Sequence, residues 1–218
     1  MNNKISLGLE YDIVKNGAVI IRSIGSCEDK DIVIPEFIDG KTVVGIANGA
    51  FARSDIKSVA LPYSLSVIGK NAFAFCAKLE CISAFGVSEI GDRAFMGCDS
   101  LTDIGLSSKI KRIGDKCFAY CPSLTTAHLP DSISEMGRSV FEGCRNLIYA
   151  SLPQGINIIE SGTFYACQNL SRVVVPEHLE YIDEYAFAYC ISLSDITISK
   201  ATVVNRDAFF ECGQRKAS

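Results

Sequence analysis

The sequence predicts a repeat solenoid, in which short units of similar sequence stack on one another along an elongated core. Two periodic series support this prediction. Phenylalanine recurs at steps of 22 or 23 residues, and a cysteine stands three positions after it in every copy but the first, where Ser54 takes that place. The phenylalanines are Phe51, Phe73, Phe95, Phe118, Phe141, Phe164, Phe187 and Phe209, and the cysteines are Cys76, Cys98, Cys121, Cys144, Cys167, Cys190 and Cys212.

The composition excludes several classes of protein. The chain has 218 residues, 48% of them hydrophobic, which is sufficient for a buried core. Its formal net charge of −4 disfavours a general electrostatic surface for nucleic acids or anionic membranes. No apolar run approaches the roughly 18 residues that a membrane helix requires. We therefore expect no nucleic-acid partner and no insertion into a membrane.

A short alternating run follows each cysteine. Leucine stands three residues after most of these cysteines and opens a run of the form L-x-x-apolar-x-apolar, such as Leu101-Thr-Asp-Ile104-Gly-Leu106. Alternation with a period of two is typical of a strand with one buried face. The other half of the unit, with Ile-Gly, Ala-Phe and Cys, turns the chain back beneath the strand. Stacking such units at about 4.8 Å would bury ladders of Leu, Ile, Phe and Cys.

This unit resembles the BspA-like, or Treponema pallidum-type, leucine-rich repeats. Residues Ile68 to Leu79, I-G-K-N-A-F-A-F-C-A-K-L, match the repeat of that family, and Ile182 to Leu193 match it with Asp183 in place of glycine. The resemblance covers about residues 32–212. It implies a right-handed leucine-rich-repeat superhelix with short parallel strands on the concave face. It also implies a non-enzymatic surface or secreted protein that is used in adhesion.

The first 44 residues depart from the repeat. Apolar runs at 11–14 and 18–21 flank Lys15-Asn16-Gly17, which predicts a β-hairpin, and Asp39-Gly40 is a second turn signal. The predicted organisation is an N-terminal β cap over residues 1–44 that continues into the solenoid, about eight leucine-rich repeats over 45–212, and a polar tail over 213–218.

The last unit and the start of the chain each give one further expectation. Arg215 stands where the next leucine is expected, so we expect the last unit to be frayed or covered by another molecule, such as a second copy of the chain. No signal peptide is visible after Met1, which indicates the cytoplasm if Met1 is the native start, whereas the family resemblance implies the cell surface or secretion.

The cysteines have competing explanations. The periodic ones are expected to be reduced, buried members of a ladder, because equivalent β-carbons about 4.8 Å apart exceed the ~3.8 Å that a disulfide prefers. A metal site would need close pairs, and only Cys117 and Cys121 form one, with Cys117 at a position where most units have alanine. We therefore predict no metal and no cofactor. Cys27 and Cys81 lie outside the ladder, and Cys81 is the candidate for a reactive thiol.

No catalytic motif is present in the sequence. The two histidines are His128, at an outward strand position, and His178, in a loop after Pro176. There is no G-x-S-x-G elbow and no P-loop, and the recurrent Ile-Gly positions have a structural explanation. We therefore expect the protein not to be an enzyme.

The outward strand positions predict a binding surface. They form one continuous sheet face whose middle contains Tyr149 and Arg172, two residue types enriched at binding hot spots. The expected ligand is a protein or a glycan, and the alternative is an ordinary solvated sheet surface. The candidate binding residues are Asp103, Thr126, His128, Tyr149, Ser151, Arg172, Val174 and Asp195.

A second row of aromatic residues lies between the phenylalanine and cysteine series. It comprises Phe75, Tyr120, Tyr165, Tyr189 and Phe210. We expect these rings to pack on the neighbouring turn with some of them partly exposed. Exposed together, they would form a lateral patch for protein binding or self-association. A structural spacer that self-assembles through its C-terminal end is therefore the alternative to a binding module.

Overall fold

The computed structural model describes residues 6–213. Within this range the chain is a parallel β-solenoid of about eight turns with no α-helix. The strands are β1 (Glu10–Ile13), β2 (Val19–Ser23), β3 (Asp31–Val33), β4 (Phe37–Ile38), β5 (Lys41–Ile46), β6 (Ser58–Ala60), β7 (Val67–Ile68), β8 (Cys81–Ala84), β9 (Glu89–Ile90), β10 (Asp103–Leu106), β11 (Arg112–Ile113), β12 (Thr126–His128), β13 (Glu135–Met136), β14 (Tyr149–Ser151), β15 (Ile158–Ile159), β16 (Arg172–Val174), β17 (Tyr181–Ile182), β18 (Asp195–Ile196) and β19 (Val203–Val204).

Each unit contributes one strand to each of two ladders. The first ladder contains the alternating runs and comprises β3, β6, β8, β10, β12, β14, β16 and β18; its outward side is the face predicted to be concave. The second ladder contains two-residue strands that precede the glycine position, from β7 to β19, and begins with β5. Neighbours are parallel and equivalent residues are paired, for example Ile82 with Ile104. The predicted repeat solenoid is confirmed.

The N-terminal strands extend both ladders. β1 and β2 form the predicted antiparallel hairpin, and β4 and β5 pair antiparallel around the Asp39-Gly40 turn. β2 then joins β5, and β3 joins β6, both in parallel. The hairpins thus hydrogen-bond to the first repeat instead of forming a separate unit. The cap boundary at residue 44 stays a prediction.

A column of phenylalanine rings runs through the core. The seven rings from Phe51 to Phe187 are fully buried, and Phe209 packs partly buried against the same core. Successive ring centroids lie 5.0–5.8 Å apart with the ring planes within 16° of parallel. Each ring therefore fills one layer of the stack and contacts the ring above and below it.

The cysteine ladder is buried and also hydrogen-bonded. The six thiols from Cys76 to Cys190 are fully buried, Cys212 is half-buried, and all ten cysteines are free. Each of the six buried thiols donates to the phenylalanine carbonyl of the preceding unit, as in Cys144 Sγ to Phe118 O at 3.0 Å, and Cys212 Sγ donates to Cys190 O at 3.3 Å. The predicted role as reduced core residues is confirmed. The structure adds a polar role that alanine or valine could not take.

The turn half of each unit hydrogen-bonds to the next unit. The residues two before and two after most of the phenylalanines have positive φ, for example Asn71 (54°) and Phe75 (60°). This conformation points alternate amides at the following unit, so that Phe75 N lies 2.7 Å from Met96 O. Such a φ is unfavourable for residues other than glycine, and here it is offset by hydrogen bonds between units.

Glycine follows the second-ladder strand because successive units come very close there. A β-carbon on Gly114 would lie 2.5 Å from Asp92 N, and one on Gly137 would lie 2.5 Å from Asp115 N. No β-carbon tolerates a contact that short with backbone. The Ile-Gly positions therefore have the structural explanation that the sequence suggested.

Each ladder is interrupted once. Within residues 6–213 no ladder pairing joins β10 to β12 or β13 to β15. The expectation of one continuous sheet face is therefore wrong, because Asp103 and Thr126 lie on separate four-stranded sheets. The phenylalanine column continues through both interruptions, with Phe95 and Phe118 stacked at 5.4 Å.

The interruption of the first ladder follows the turn that contains Pro122. In three other units a backbone amide of this turn donates to the preceding unit. Here side chains make the bonds instead, from Ser123 Oγ to Asp99 O (2.6 Å) and from Asn146 Nδ2 to Pro122 O (2.9 Å). The strand that follows this turn, β12, does not pair with β10 of the preceding unit.

The last described unit keeps its turn. Gly213 N donates to Cys190 O at 3.0 Å, and the Phe209 ring stacks on Phe187 at 5.0 Å. Val203 is 62% exposed, and the ladder neighbours of β18 and β19 lie on one side only among the described residues. The expectation about Arg215 lies outside the described residues.

The described residues contain neither a membrane-spanning helix nor a metal-binding cluster. Within residues 6–213, no helix is long and apolar enough to cross a membrane. The same part of the chain contains no cluster of three or more histidine, cysteine, aspartate or glutamate side chains placed to hold a metal ion.

The substitution Gly114→Ala tests the close approach of units. Its β-carbon would meet Asp92 N at 2.5 Å, and we expect the free energy of unfolding to fall by about 2 kcal/mol or more. Gly105→Ala is the matched control, because its β-carbon has 3.3 Å to the nearest atom, and we expect a loss below about 1 kcal/mol. Urea unfolding measures both, and equal losses would contradict the explanation.

Alkaline pH should destabilise the fold through the buried thiols. Burial raises the pKa of the thiols of Cys76, Cys98, Cys117, Cys144, Cys167 and Cys190 above the ordinary value of 9.0. These thiols ionise at a higher pH in the folded state than in the unfolded chain, so their stabilisation is complete below the ordinary pKa and is lost as the pH rises above it. Each contributes about 1.4 kcal/mol per pH unit there.

The measurement is urea unfolding at pH 7.5 and pH 9.5 under reducing conditions. We expect the free energy of unfolding to fall by about 5 kcal/mol between the two values. Cys81→Ser, which removes an exposed thiol, should leave that difference unchanged. A free energy that does not change with pH would show that thiol burial is not coupled to folding.

Candidate binding surface

Seven of the eight candidate residues share one four-stranded sheet. This sheet comprises β12, β14, β16 and β18, and its register aligns the outward residues in two rows. Asp103 lies on β10, in the other sheet of the first ladder. The first row is Thr126, Tyr149, Arg172 and Asp195, and the second row is His128, Ser151 and Val174.

The residues between them point inward and are small at two positions. Ala127 and Ala150 are almost completely buried beneath the sheet, and Val173 follows them on the next strand. Alternation along each strand therefore places the candidate side chains on the outer face, as the sequence predicts. The strands that carry Tyr149 and Arg172 are paired on both sides, whereas β12 and β18 are the edges of this sheet.

Tyr149 is the centre of the surface. Its ring centroid lies 5.1 Å from that of His128, with the planes tilted by 43°, and Arg172 Cζ lies 5.9 Å from the Tyr149 ring. On the other side, Arg172 Nε lies 3.2 Å from Asp195 Oδ2. Tyr149 is half-buried by these contacts while its neighbours stay exposed. We name the contacting set of His128, Tyr149, Arg172 and Asp195 the tyrosine row; it takes His128 from the second row of the sheet and the other three residues from the first.

The tyrosine row combines an aromatic ring with both signs of charge. The guanidinium is within cation–π range of the ring, and its ion pair with Asp195 is exposed, so it contributes little to folding stability. A ligand can therefore replace the carboxylate as partner of Arg172 at small cost. The arrangement offers apolar contact through the ring and directed hydrogen bonds beside it, which suits a polar surface of another molecule.

A small open cavity of about 170 Å³ adjoins the row. It is lined by Arg172, Val174, Val175, Asp195 and Thr197. Thr197 occupies the fifth position of the last alternating run, so the alternation that identified its neighbours also places it on this face. Val175 lies just after β16, and no periodic signal in the sequence points to it.

The lateral aromatic residues pack on neighbouring turns. Gly97 lies against the Phe75 ring and Gly143 against the Tyr120 ring, where an added β-carbon would meet each ring at 2.6 Å. Phe75 is 42% and Tyr120 45% exposed. The expected packing with partial exposure is confirmed for these two rings. At the other end, Tyr165, Tyr189 and Phe210 form edge-to-face contacts at 5.3 and 5.6 Å.

Tyr120 is also fixed by a charged neighbour. Its hydroxyl donates to Glu142, whose other carboxylate oxygen lies 2.8 Å from Lys116 Nζ. The hydrogen bond to Glu142, together with burial, raises the pKa of Tyr120 to about 12. This ring is thus held by its own unit and the next one, which leaves it less free to reorganise around a ligand.

The cysteines outside the ladder differ from each other. Cys27 is buried, whereas Cys81 is exposed on β8, at the outward position that the sequence indicated. Cys117 is buried at the alanine position of the unit, as expected. Cys81 therefore lies on the outward side of the first ladder, two strands before the tyrosine-row sheet begins.

Comparison with known sequences identifies the repeat. A family model described as the BspA type leucine-rich repeat region matches residues 24–87 and 88–215, in six copies. The matched ranges cover most of the chain. This chain belongs to the BspA-type leucine-rich repeat family. A search of curated proteins finds no match to it.

Solved leucine-rich repeat structures share the fold. A Treponema pallidum leucine-rich repeat protein is 32% identical over 85% of this chain and 88% of its own, with a TM-score of 0.80. A leucine-rich repeat protein of Bacteroides ovatus is 27% identical over 92% of this chain, with a TM-score of 0.83. The match covers 54% of that longer protein. The pneumococcal vaccine antigen PcpA, 18% identical with a TM-score of 0.57, shares the fold.

Proposed function

We propose that this BspA-type repeat chain is a non-enzymatic binding module that recognises a protein or a glycan through the tyrosine row. The observation that carries the proposal is the placement of Tyr149, half-buried between His128 and Arg172 on a hydrogen-bonded sheet. Tyrosine and arginine are the residue types that contribute most to binding when a partner covers them.

The rigidity of the sheet supports this proposal. Tyr149 and Arg172 sit on strands that are paired on both sides, and the Arg172 side chain lies between Tyr149 and Asp195. Ordering these side chains on binding therefore costs less conformational entropy than ordering a loop would. A solenoid can change the outward residues of each unit while its core stays constant, which suits a scaffold for recognition.

We further propose a role in adhesion, at the cell surface or outside the cell. Its support is membership of the BspA-type family, together with the exposed aromatic and charged side chains of the tyrosine row. This part of the proposal concerns the whole protein in its biological setting. A cytoplasmic module would use the same surface for a protein partner.

A test of the binding surface compares two matched double variants. Tyr149→Ala with Arg172→Ala removes the centre of the row, whereas Tyr63→Ala with Arg53→Ala removes the same residue types from exposed positions elsewhere. The ligand is first identified by screening the folded chain on a glycan array and against extracellular-matrix proteins. We expect the first variant to weaken binding about 30-fold and the second to leave it unchanged.

Circular dichroism should show both variants folded, because all four residues are at least partly exposed. Binding of the Tyr149/Arg172 variant at wild-type affinity would exclude the tyrosine row as the site. Loss of binding by the Tyr63/Arg53 variant alone would place the site near the N-terminal repeats instead.

Self-association through the C-terminal end is the second candidate. Val203 is 62% exposed on β19, and Ile196 and Val204 are only partly buried at the end of the stack. A second copy would cover these residues and add strands to both ladders. Sedimentation at rising concentration should then show dimers in the wild type and monomers in Val203→Asp. If the wild-type chain stays monomeric at about 100 µM, this candidate is excluded.

A further inference from the structure

One seam of the second ladder is open. Along this ladder the residue after a two-residue strand normally donates its backbone amide to a carbonyl of the preceding unit. Gly137 N donates to Ile113 O and Asp183 N to Ile159 O, both at 2.9 Å. The equivalent bond, from Glu160 N to Met136 O, is absent. Within residues 6–213 no backbone hydrogen bond joins β13 to β15.

A second bond is missing at the same seam. Glu180 N donates to Asn157 O at 2.8 Å in the following unit, but Asn157 N makes no corresponding bond to Ser134 O. The facing edges of β13 and β15 thus present amides and carbonyls that find no partner within the described chain. Such groups are uncommon in folded proteins unless water or a ligand satisfies them.

The side chain of Glu160 explains why the seam is open. Glu160 occupies the position of Gly114 and Gly137, where a β-carbon would lie 2.5 Å from backbone of the preceding unit. A β-carbon at this position is therefore incompatible with the spacing of the glycine-containing units. Asp183 and Asn205 occupy the position in later units and do form the ladder bond, so the units after the seam stack with room for a β-carbon.

The opening is a fixed cleft within the folded chain. On one side Gly155 is so close to Ile133 that a β-carbon would lie 2.3 Å from the carbonyl oxygen. On the other side Ser139 N donates to Ser161 O at 2.9 Å. The Phe141 and Phe164 rings remain stacked at 5.6 Å behind it. The units separate only between these closed points.

The cleft has the size of a small ligand site and carries an excess of negative charge. Its volume is about 300 Å³, at the lower end of the range for ligand pockets. Its charged and polar lining comprises Arg112, Asp115, Ser134, Glu135, Asn157 and Glu160. The guanidinium of Arg112 is already paired, with Glu89 at 2.6 Å and with Glu135 at 3.3 Å, and Arg138 Nε beside the cleft lies 3.7 Å from Glu160 Oε2.

We infer that this cleft binds a short extended peptide that carries a lysine or arginine side chain. The main chain of such a peptide supplies both acceptors for the free amides and donors for the free carbonyls, as in recognition by strand addition. Its cationic side chain complements Asp115, Glu135 and Glu160. A simple cation would meet the carboxylates alone, and an anion would meet the amides alone.

This inference is independent of the tyrosine row, which lies on the first ladder. The probe is the peptide acetyl-Lys-Val-Lys-Val-amide, titrated into the ¹⁵N-labelled chain while amide shifts are followed by NMR. We expect saturable shifts at the amides of Asn157 and Glu160. The acidic counterpart, acetyl-Glu-Val-Glu-Val-amide, should bind about 10-fold more weakly because the cleft repels it.

Three variants test the role of the open seam. Glu160→Gly should let the ladder close and weaken binding of the lysine peptide about 10-fold or more. Asp183→Gly makes the same change one unit later, where the ladder is already closed, and should leave binding unchanged. Glu160→Gln keeps the β-carbon and the cleft but removes one charge, and should weaken binding about threefold.

The inference is overturned if the two peptides bind equally, if Glu160→Gly binds like the wild type, or if the largest shifts lie away from this seam. Absence of saturable shifts at millimolar peptide overturns it as well. If Glu160→Gly fails to fold, the comparison of the two peptides and the Glu160→Gln variant decide the outcome.

Discussion

The close spacing of successive units is the constraint on which the rest of the structure depends. Phenylalanine rings 5.0–5.8 Å apart leave room for one aromatic layer in each unit. At that spacing a thiol reaches the carbonyl of the preceding unit at about the 3.0 Å seen for Cys144. The same spacing excludes a β-carbon at Gly114 and Gly137. The repeated residues of the sequence are those that fit this separation.

Both proposed sites lie where the spacing makes no demand or is relaxed. The outward side chains of the first ladder do not enter the core, so Tyr149 and Arg172 stand there without any cost to core packing. The open seam arises differently, because Glu160 replaces glycine and the backbones separate. One surface is therefore permitted by the fold, and the other results from a local departure from its repeat.

Much of this could be predicted from the sequence, because the periodic residues are the buried ones. The phenylalanine and cysteine series, the outward position of His128 and the β1–β2 hairpin all follow from spacing and alternation. The thiol hydrogen bonds could not, because spacing does not show which atom a buried cysteine contacts. The two interruptions could not be predicted either. In the sequence Glu160 looks like a tolerated replacement of glycine, and whether the ladder closes there depends on differences of less than about 1 Å in the distance between neighbouring backbones.

Amide hydrogen exchange of the whole chain tests the account most directly. It should show slow exchange for the amides of Phe118, Phe141 and Phe164, because the column of rings and the turn hydrogen bonds continue through both interruptions. It should also show Asn157 and Glu160 exchanging about 100-fold faster than their equivalents Glu180 and Asp183 in the next unit. Equal protection of these two pairs would contradict the account, because it would mean that the stack is uniformly closed.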